Sequence, residues 1–79
     1  MNSYWHIVPR GDGYHYLCTH PNTGDHYLGD KSNDADVFNT IIFASKEKAQ
    51  EYINTFLNDT FIPEKCWMRL SYWKKEVIQ

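Results

Sequence analysis

Cysteine is scarce in this chain, with Cys18 and Cys66 the only two in 79 residues. They form no C-x-x-C pair and no spaced framework, so a disulfide scaffold is excluded and a reducing compartment is expected. No apolar run approaches the roughly 18–20 residues that a membrane-spanning helix needs. The opening MNSYWHIVPRG lacks a charged start followed by an apolar stretch, so no secretory signal is expected. Charge of one sign is missing as well. Eight Lys and Arg against ten Asp and Glu give a formal charge of −2, which argues against a general polyanion binder, because phosphate neutralisation needs a basic footprint. There is no nucleophile elbow, phosphate-cradling glycine loop or paired-carboxylate spacing. These absences lead to one cytoplasmic domain spanning residues 1–79, with no cofactor, no membrane and no enzymatic activity expected.

What the chain does have is aromatic surface. Phe, Trp and Tyr make up 16% of it, and each large ring can remove roughly 150–250 Å² from water. A chain this short buries only about 60% of the surface it exposes unfolded, so those rings are its means of holding a core without staples. Residues 4–8 alternate aromatic and aliphatic side chains and predict a strand. PRGDG, residues 9–13, supplies a turn, and residues 14–19 a return strand. HPNTGD turns again into a short third strand ending at Gly29. Residues 31–36, KSNDAD, read as a loop, and the β-branched and aromatic run from Val37 to Ala44 as a central fourth strand.

Ser45 then begins the clearest element. Its hydroxyl can cap a helix, and Ala49, Tyr52, Ile53, Phe56 and Leu57 recur at helical spacing to form one apolar stripe ending near Asn58 or Asp59. Residues 66–73 alternate once more as a last strand. The order β-β-β-β-α-β predicts an α+β fold: an antiparallel β-sheet of four to five strands with one amphipathic helix packed on one face.

That arrangement leaves the other sheet face uncovered. If Val8 opposes Tyr14 across the first turn, then Trp5, Ile7 and Leu17 enter the core. Tyr4, His6, Tyr14 and Tyr16 line the open side. In the last strand Cys66, Met68, Leu70 and Tyr72 turn towards the helix, while Trp67, Arg69, Ser71 and Trp73 point away. Tyrosine, tryptophan, histidine and arginine are the residues of interface hot spots, although aromatics also stabilise antiparallel sheets through cross-strand pairs. Asp30, Asp34 and Asp36 add an acidic patch able to steer the chain towards a basic surface.

Sharper chemistry is weaker. Arg10-Gly11-Asp12 spells an integrin-type tripeptide but coincides with turn residues. Cys18, His20 and His26 lack a fourth zinc ligand. The aspartates from Asp30 to Asp36 lack the glycine and the bidentate glutamate of a calcium loop. His6, His15 or His20 could act as a base and Ser3, Cys18 or Thr19 as a nucleophile, yet no spacing ties them together. Single-stranded nucleic acid could stack on Trp67 and Trp73 beside Arg69, Lys74 and Lys75. Four aspartates between residues 25 and 36 oppose it.

The run IIFASKEKAQEYINTF followed by CWMRLSYW resembles small phage and mobile-element proteins in which a meander leads into a helix entered by F-x-S-x-E-x-A-x-x-Y-I and a final strand completes the sheet. The resemblance covers residues 37–73 and is one of shape. Some members of that group are inhibitors of host machinery of the anti-CRISPR type. The resemblance implies a chain that docks on and blocks a larger host protein or complex. The open face and acidic patch, read from the residues themselves, supply the expected contacts: Tyr4, His6, Tyr14, Tyr16, Trp67, Arg69, Trp73, Asp30, Asp34 and Asp36. A homodimer through open faces or edge strands is a further reading.

Overall fold

The computed structural model describes residues 3–67. The alternating N-terminal stretch forms β1 (Ser3–Pro9), and the segments after the first two turns form β2 (His15–Thr19) and β3 (His26–Asp30). Helix α1 (Asp34–Asn39) and helix α2 (Lys46–Phe56) follow, and β4 (Phe61–Trp67) closes the described chain. The fold is α+β with antiparallel pairing and one main helix. The four strands among the described residues do not make a single sheet, however. They make two ribbons, β1 with β4 and β2 with β3.

The expected hairpin between β1 and β2 does not form: Val8 opposes Ile62, not Tyr14. Residues 40–43 explain why. Trp5 and Phe43 exchange both backbone hydrogen bonds, at 3.0 and 2.8 Å, while Ile41 N donates to Leu17 O at 3.3 Å. A second bridge joins Cys18 to Thr40. This short segment takes up backbone groups that direct β1–β2 pairing would have used, and it stitches the ribbons together.

The strand expected from Val37 to Ala44 is therefore two things. Its first part belongs to α1. Asn33 caps that helix, its side chain accepting from Asp36 N at 3.1 Å, and Asp34 and Asp36 sit in the first turn where the helix dipole favours negative charge. The helix stops at Thr40, whose backbone is extended and whose N–H bonds Val37 O. Strand propensity spans only about 1 kcal/mol, and a good cap together with burial of Val37 outweighs it here. Ser45 caps α2 as expected, accepting from Lys48 N at 3.2 Å, and α2 buries Ala49 and Ile53.

The last strand also shifts. β4 begins at Phe61, five residues before the expected start, and includes Pro63. Its only strand partner among the described residues is β1, so the missing N–H of Pro63 falls on an edge strand, where proline is tolerated. The remainder of the expected strand, residues 68–73, lies outside the described residues.

Both faces of the ribbons are filled. On the α2 side Ile7, Leu17, Phe43, Ala49 and Ile53 form one buried cluster, with Trp5, Tyr52, Leu57 and Phe61 packed against it. On the reverse Val8, Tyr16, Cys18, Val37 and Ile42 form a second cluster, flanked by Tyr4, Tyr27, Ile62 and Cys66. The expectation of one uncovered sheet face is thus corrected. The chain folds its own α1 onto that side of the β2–β3 ribbon.

Gly29 marks how closely α1 approaches. A Cβ there would lie 2.5 Å from Cys18 Sγ and 2.9 Å from Asp36 Cβ. Asp36 fastens the contact, its carboxylate accepting from Tyr27 Oη at 3.1 Å and from Asp30 N at 3.0 Å. Gly29→Ala should overpack this junction and cost about 1–3 kcal/mol. A urea midpoint equal to that of the wild type would show that the ribbon and α1 can part without penalty.

Candidate functional site

The turns after β1 and after β3 meet at one end of the molecule, where Lys31 N donates to Tyr14 O at 3.4 Å. Asp12 organises the first turn. Its Oδ1 accepts from Tyr14 N at 2.7 Å and His15 N at 3.2 Å, and its Oδ2 from His15 Nδ1 at 3.0 Å. The bond from Tyr14 N, followed by that from the His15 ring, holds the Asp12 carboxyl below its ordinary value. Asp30 organises the second turn. Its Oδ1 accepts from the Ser32 hydroxyl at 2.7 Å and from Ser32 N at 2.8 Å, and these bonds lower its pKa in the same way. Both carboxylates stay ionised well into the acid range.

Between these turns Tyr14 stands 61% exposed. With Gly13, Lys31 and Ser32 it lines an open depression of about 310 Å³. Asp34, fully on the surface, starts α1 just beyond Ser32. The result is an exposed ring between two turns built by Asp12 and Asp30, beside a depression that Lys31 also lines.

Behind the depression lies a more buried group. His6 Nε2 donates to Glu64 Oε1 at 2.8 Å, and Lys31 Nζ donates to the same oxygen at 3.2 Å. The His6 ring is packed edge-on to Tyr16 at 5.3 Å. Burial lowers the His6 pKa, and that effect exceeds the opposing pull of Glu64. Burial would raise Glu64, but hydrogen bonds from His6 and Lys31 outweigh it and bring its pKa below the ordinary value. At neutral pH the group is a neutral imidazole donating to a carboxylate that also pairs with an ammonium.

The residues expected on an open sheet face are scattered by this geometry. His6 is 4% exposed and Tyr16 2%, so neither offers contact surface, and this corrects their placement. Tyr4 is half-buried against the reverse cluster. Tyr14 alone of that quartet is open. Trp67 ends β4 opposite Ser3, while Arg69 and Trp73 lie outside the described residues. Of the acidic trio, Asp30 and Asp36 spend their oxygens on the turn and on β3, and Asp34 remains exposed.

The other motifs resolve as follows. Arg10 donates through Nε and Nη2 to Asp59 O at 3.1 and 3.0 Å, and Asp12 is engaged as above, so the Arg-Gly-Asp run is a turn fastened to the loop before β4. Gly11, at φ +78°, supplies the conformation that a side chain would strain. Cys18 is buried and its Sγ lies 3.3 Å from Asp36 O, His20 stacks on Tyr27 at 4.3 Å, and His26 Nε2 lies 2.7 Å from Tyr52 Oη. Among the described residues no three metal-ligating side chains converge. Burial pushes the Cys66 thiol up to about 11, leaving it protonated and unreactive at neutral pH.

Sequence reasoning missed Glu64 and Lys31. Glu64 stands 58 positions from His6 and 33 from Lys31, its two partners, and no local pattern signals such a group. The Asp12–His15 pair, three residues apart, was open to local reading as an Asx-type turn.

No protein-family model, curated protein or solved structure matches the chain. Among the described residues no helix is long and apolar enough to cross a membrane.

The buried pair gives the fold a pH dependence with a definite sign. Because the folded pKa of His6 lies below the ordinary 6.5, the unfolded chain binds the extra proton first. The stability contributed by the neutral ring is complete above pH ~6.5 and is lost as pH falls through the lowered folded value. The Glu64 contribution follows the same direction at lower pH, present above the usual 4.5. An NMR titration should place the His6 ring below 6.5, and thermal midpoints should fall between pH 7 and 5 less steeply in His6→Phe. A His6 midpoint above 6.5 would contradict the assignment.

Proposed function

We propose that the chain is a non-enzymatic protein-binding module of the cytoplasm. It docks on a larger protein or complex and blocks it, in the manner of the small phage-encoded, anti-CRISPR-type inhibitors that its helix entry resembles. The contact surface is the turn end of the molecule, and the observation that carries the reading is Tyr14. It is a large aromatic side chain left 61% exposed in a chain that buries its other tyrosines and tryptophans wholly or in part wherever their side chains are described. A ring of this kind, between turns that carry Asp12 and Asp30 and near the exposed Asp34 at the start of α1, suits a lysine or arginine projecting from a basic protein surface. The carboxylates would speed encounter more than they tighten the complex.

The rival reading is a single-strand nucleic-acid binder that stacks bases on Trp67 and Trp73. Trp73, with Arg69, Lys74 and Lys75, lies outside the described residues, and what opposes the reading is the net charge of −2 and the four aspartates between residues 25 and 36.

The test is affinity capture from a bacterial lysate, followed by titration of the purified partner. Tyr14→Ala should weaken that complex at least tenfold, equivalent to about 1.4 kcal/mol, with an unchanged thermal midpoint. Asp34→Asn should slow association chiefly at low salt. A partner held equally well by Tyr14→Ala would overturn the proposed anchor.

A further inference from the structure

A second surface lies along β3, and it does not use Tyr14. In the β2–β3 ribbon, Lys31 N donates to Tyr14 O and His20 N donates to Asp25 O. With the register pairing His15 to Asp30 and Thr19 to His26, these bonds fix the alternation. Residues 25, 27, 29 and 31 turn their peptide groups towards β2, and residues 26, 28 and 30 turn theirs outward. Asp30 is already satisfied on the outside, its N–H by the Asp36 carboxylate and its carbonyl by Asn33 N. The outward N–H and C=O groups of His26 and Leu28 face away from every strand described here.

Apolar surface borders this open edge. Leu28 is 48% exposed and Phe56 63%. Tyr52 packs on Phe56 at 4.8 Å and reaches His26 with its hydroxyl, so an aromatic rim from α2 flanks the strand on the side where Leu28 points. An edge with free peptide groups beside exposed apolar side chains is a template for strand pairing.

We propose that this edge pairs with the same edge of a second copy of the chain, antiparallel about a two-fold axis at Tyr27. In that register His26 lies opposite the partner's Leu28, and Leu28 opposite the partner's His26. Both are outward-facing positions, so each pair exchanges two backbone hydrogen bonds and all the free groups are used. Charge favours the same alignment. Asp25 falls opposite the partner's Gly29 and Asp30 opposite the partner's Gly24, so no carboxylate faces another despite the chain's net charge of −2. The interface is isologous, as a closed dimer requires. Asn33 and Asp36 end it at Asp30, which keeps it short and the dimer concentration-dependent.

Sedimentation velocity across a concentration series, with amide hydrogen exchange on the same samples, tests this. The expected result is a mass rising towards twice that of the monomer, with the His26 and Leu28 amides gaining protection in step. Leu28→Lys should raise the dissociation constant at least tenfold, while Tyr14→Ala should dimerise like the wild type. That last control separates this proposal from the anchor role of Tyr14. A monomer at the highest soluble concentration would overturn it, as would a dimer in which the Leu28 amide exchanges as in the monomer. So would protection of these amides only when an extended segment of another protein is added.

Discussion

The paired hydrogen bonds between Trp5 and Phe43 hold the rest of the molecule in place. Two-stranded ribbons are marginal on their own in water, and this chain contains two of them. Residues 40–43 lie between the ribbons, bonded to β1 at Phe43 and to β2 at Ile41 and Thr40. The same four residues supply Ile42 to the reverse cluster and Phe43 to the α2 cluster, both almost wholly buried. A strand's alternation sends neighbouring side chains to opposite faces, so this short extended segment anchors two cores at once.

Everything functional follows from that double anchoring. With buried clusters on both faces of the ribbons, the described residues leave no broad sheet face open. His6 and Tyr16, polar rings on what would have been a wet face, instead become interior groups, and His6 is accommodated by Glu64 and Lys31. The surfaces left for other molecules are the places where pairing stops. One is the turn end, where Tyr14 stands between two carboxylate-fastened turns. The other is the outer edge of β3, where α1 satisfies Asp30 and leaves His26 and Leu28 open. In a domain of this size, contact surface is concentrated at strand ends and edges because the interior has already claimed the faces.

Much of this was legible locally. The stretches from Tyr4 to Val8 and from His26 to Gly29 declared themselves as strands by alternation and flanking turn residues, and α2 by its Ser45 cap and the spacing of Ala49, Tyr52 and Ile53. The α+β class followed from those elements. What was not legible was long-range. Val37 to Ala44 carries a strand's composition, but Asn33 and Asp36 form a cap that converts its beginning into helix, and the gain from burying Val37 depends on residues some twenty positions away. The pairing of β1 with β4 in place of β2 depends on residues 40–43 arriving between them, which no pattern within residues 3–20 could reveal. Tyr4 and Tyr16 do fall on the side opposite Trp5, Ile7 and Leu17, as alternation required, but Val37 of α1 packs on that side, so Tyr4, His6, Tyr14 and Tyr16 could not remain one exposed set. Only Tyr14, placed in the turn by its neighbours Asp12 and Gly13, kept its exposure. The Asp30, Asp34 and Asp36 trio was visible as charge, but its division into one carboxylate that builds a turn, one that fastens α1 to β3 and one that stays exposed required their hydrogen-bond partners.

The central claim is that one short segment joins two ribbons into a single cooperative unit with interior on both sides. Native-state hydrogen exchange of the Trp5 and Phe43 amides, compared with those of Tyr27 and Gly29 in the other ribbon, tests it most directly. If the claim holds, all four exchange only through global unfolding, with the same opening free energy and the same dependence on denaturant. Exchange of Tyr27 and Gly29 through a separate, lower-energy opening, with Trp5 and Phe43 still protected, would show that the ribbons are independent and would contradict the account.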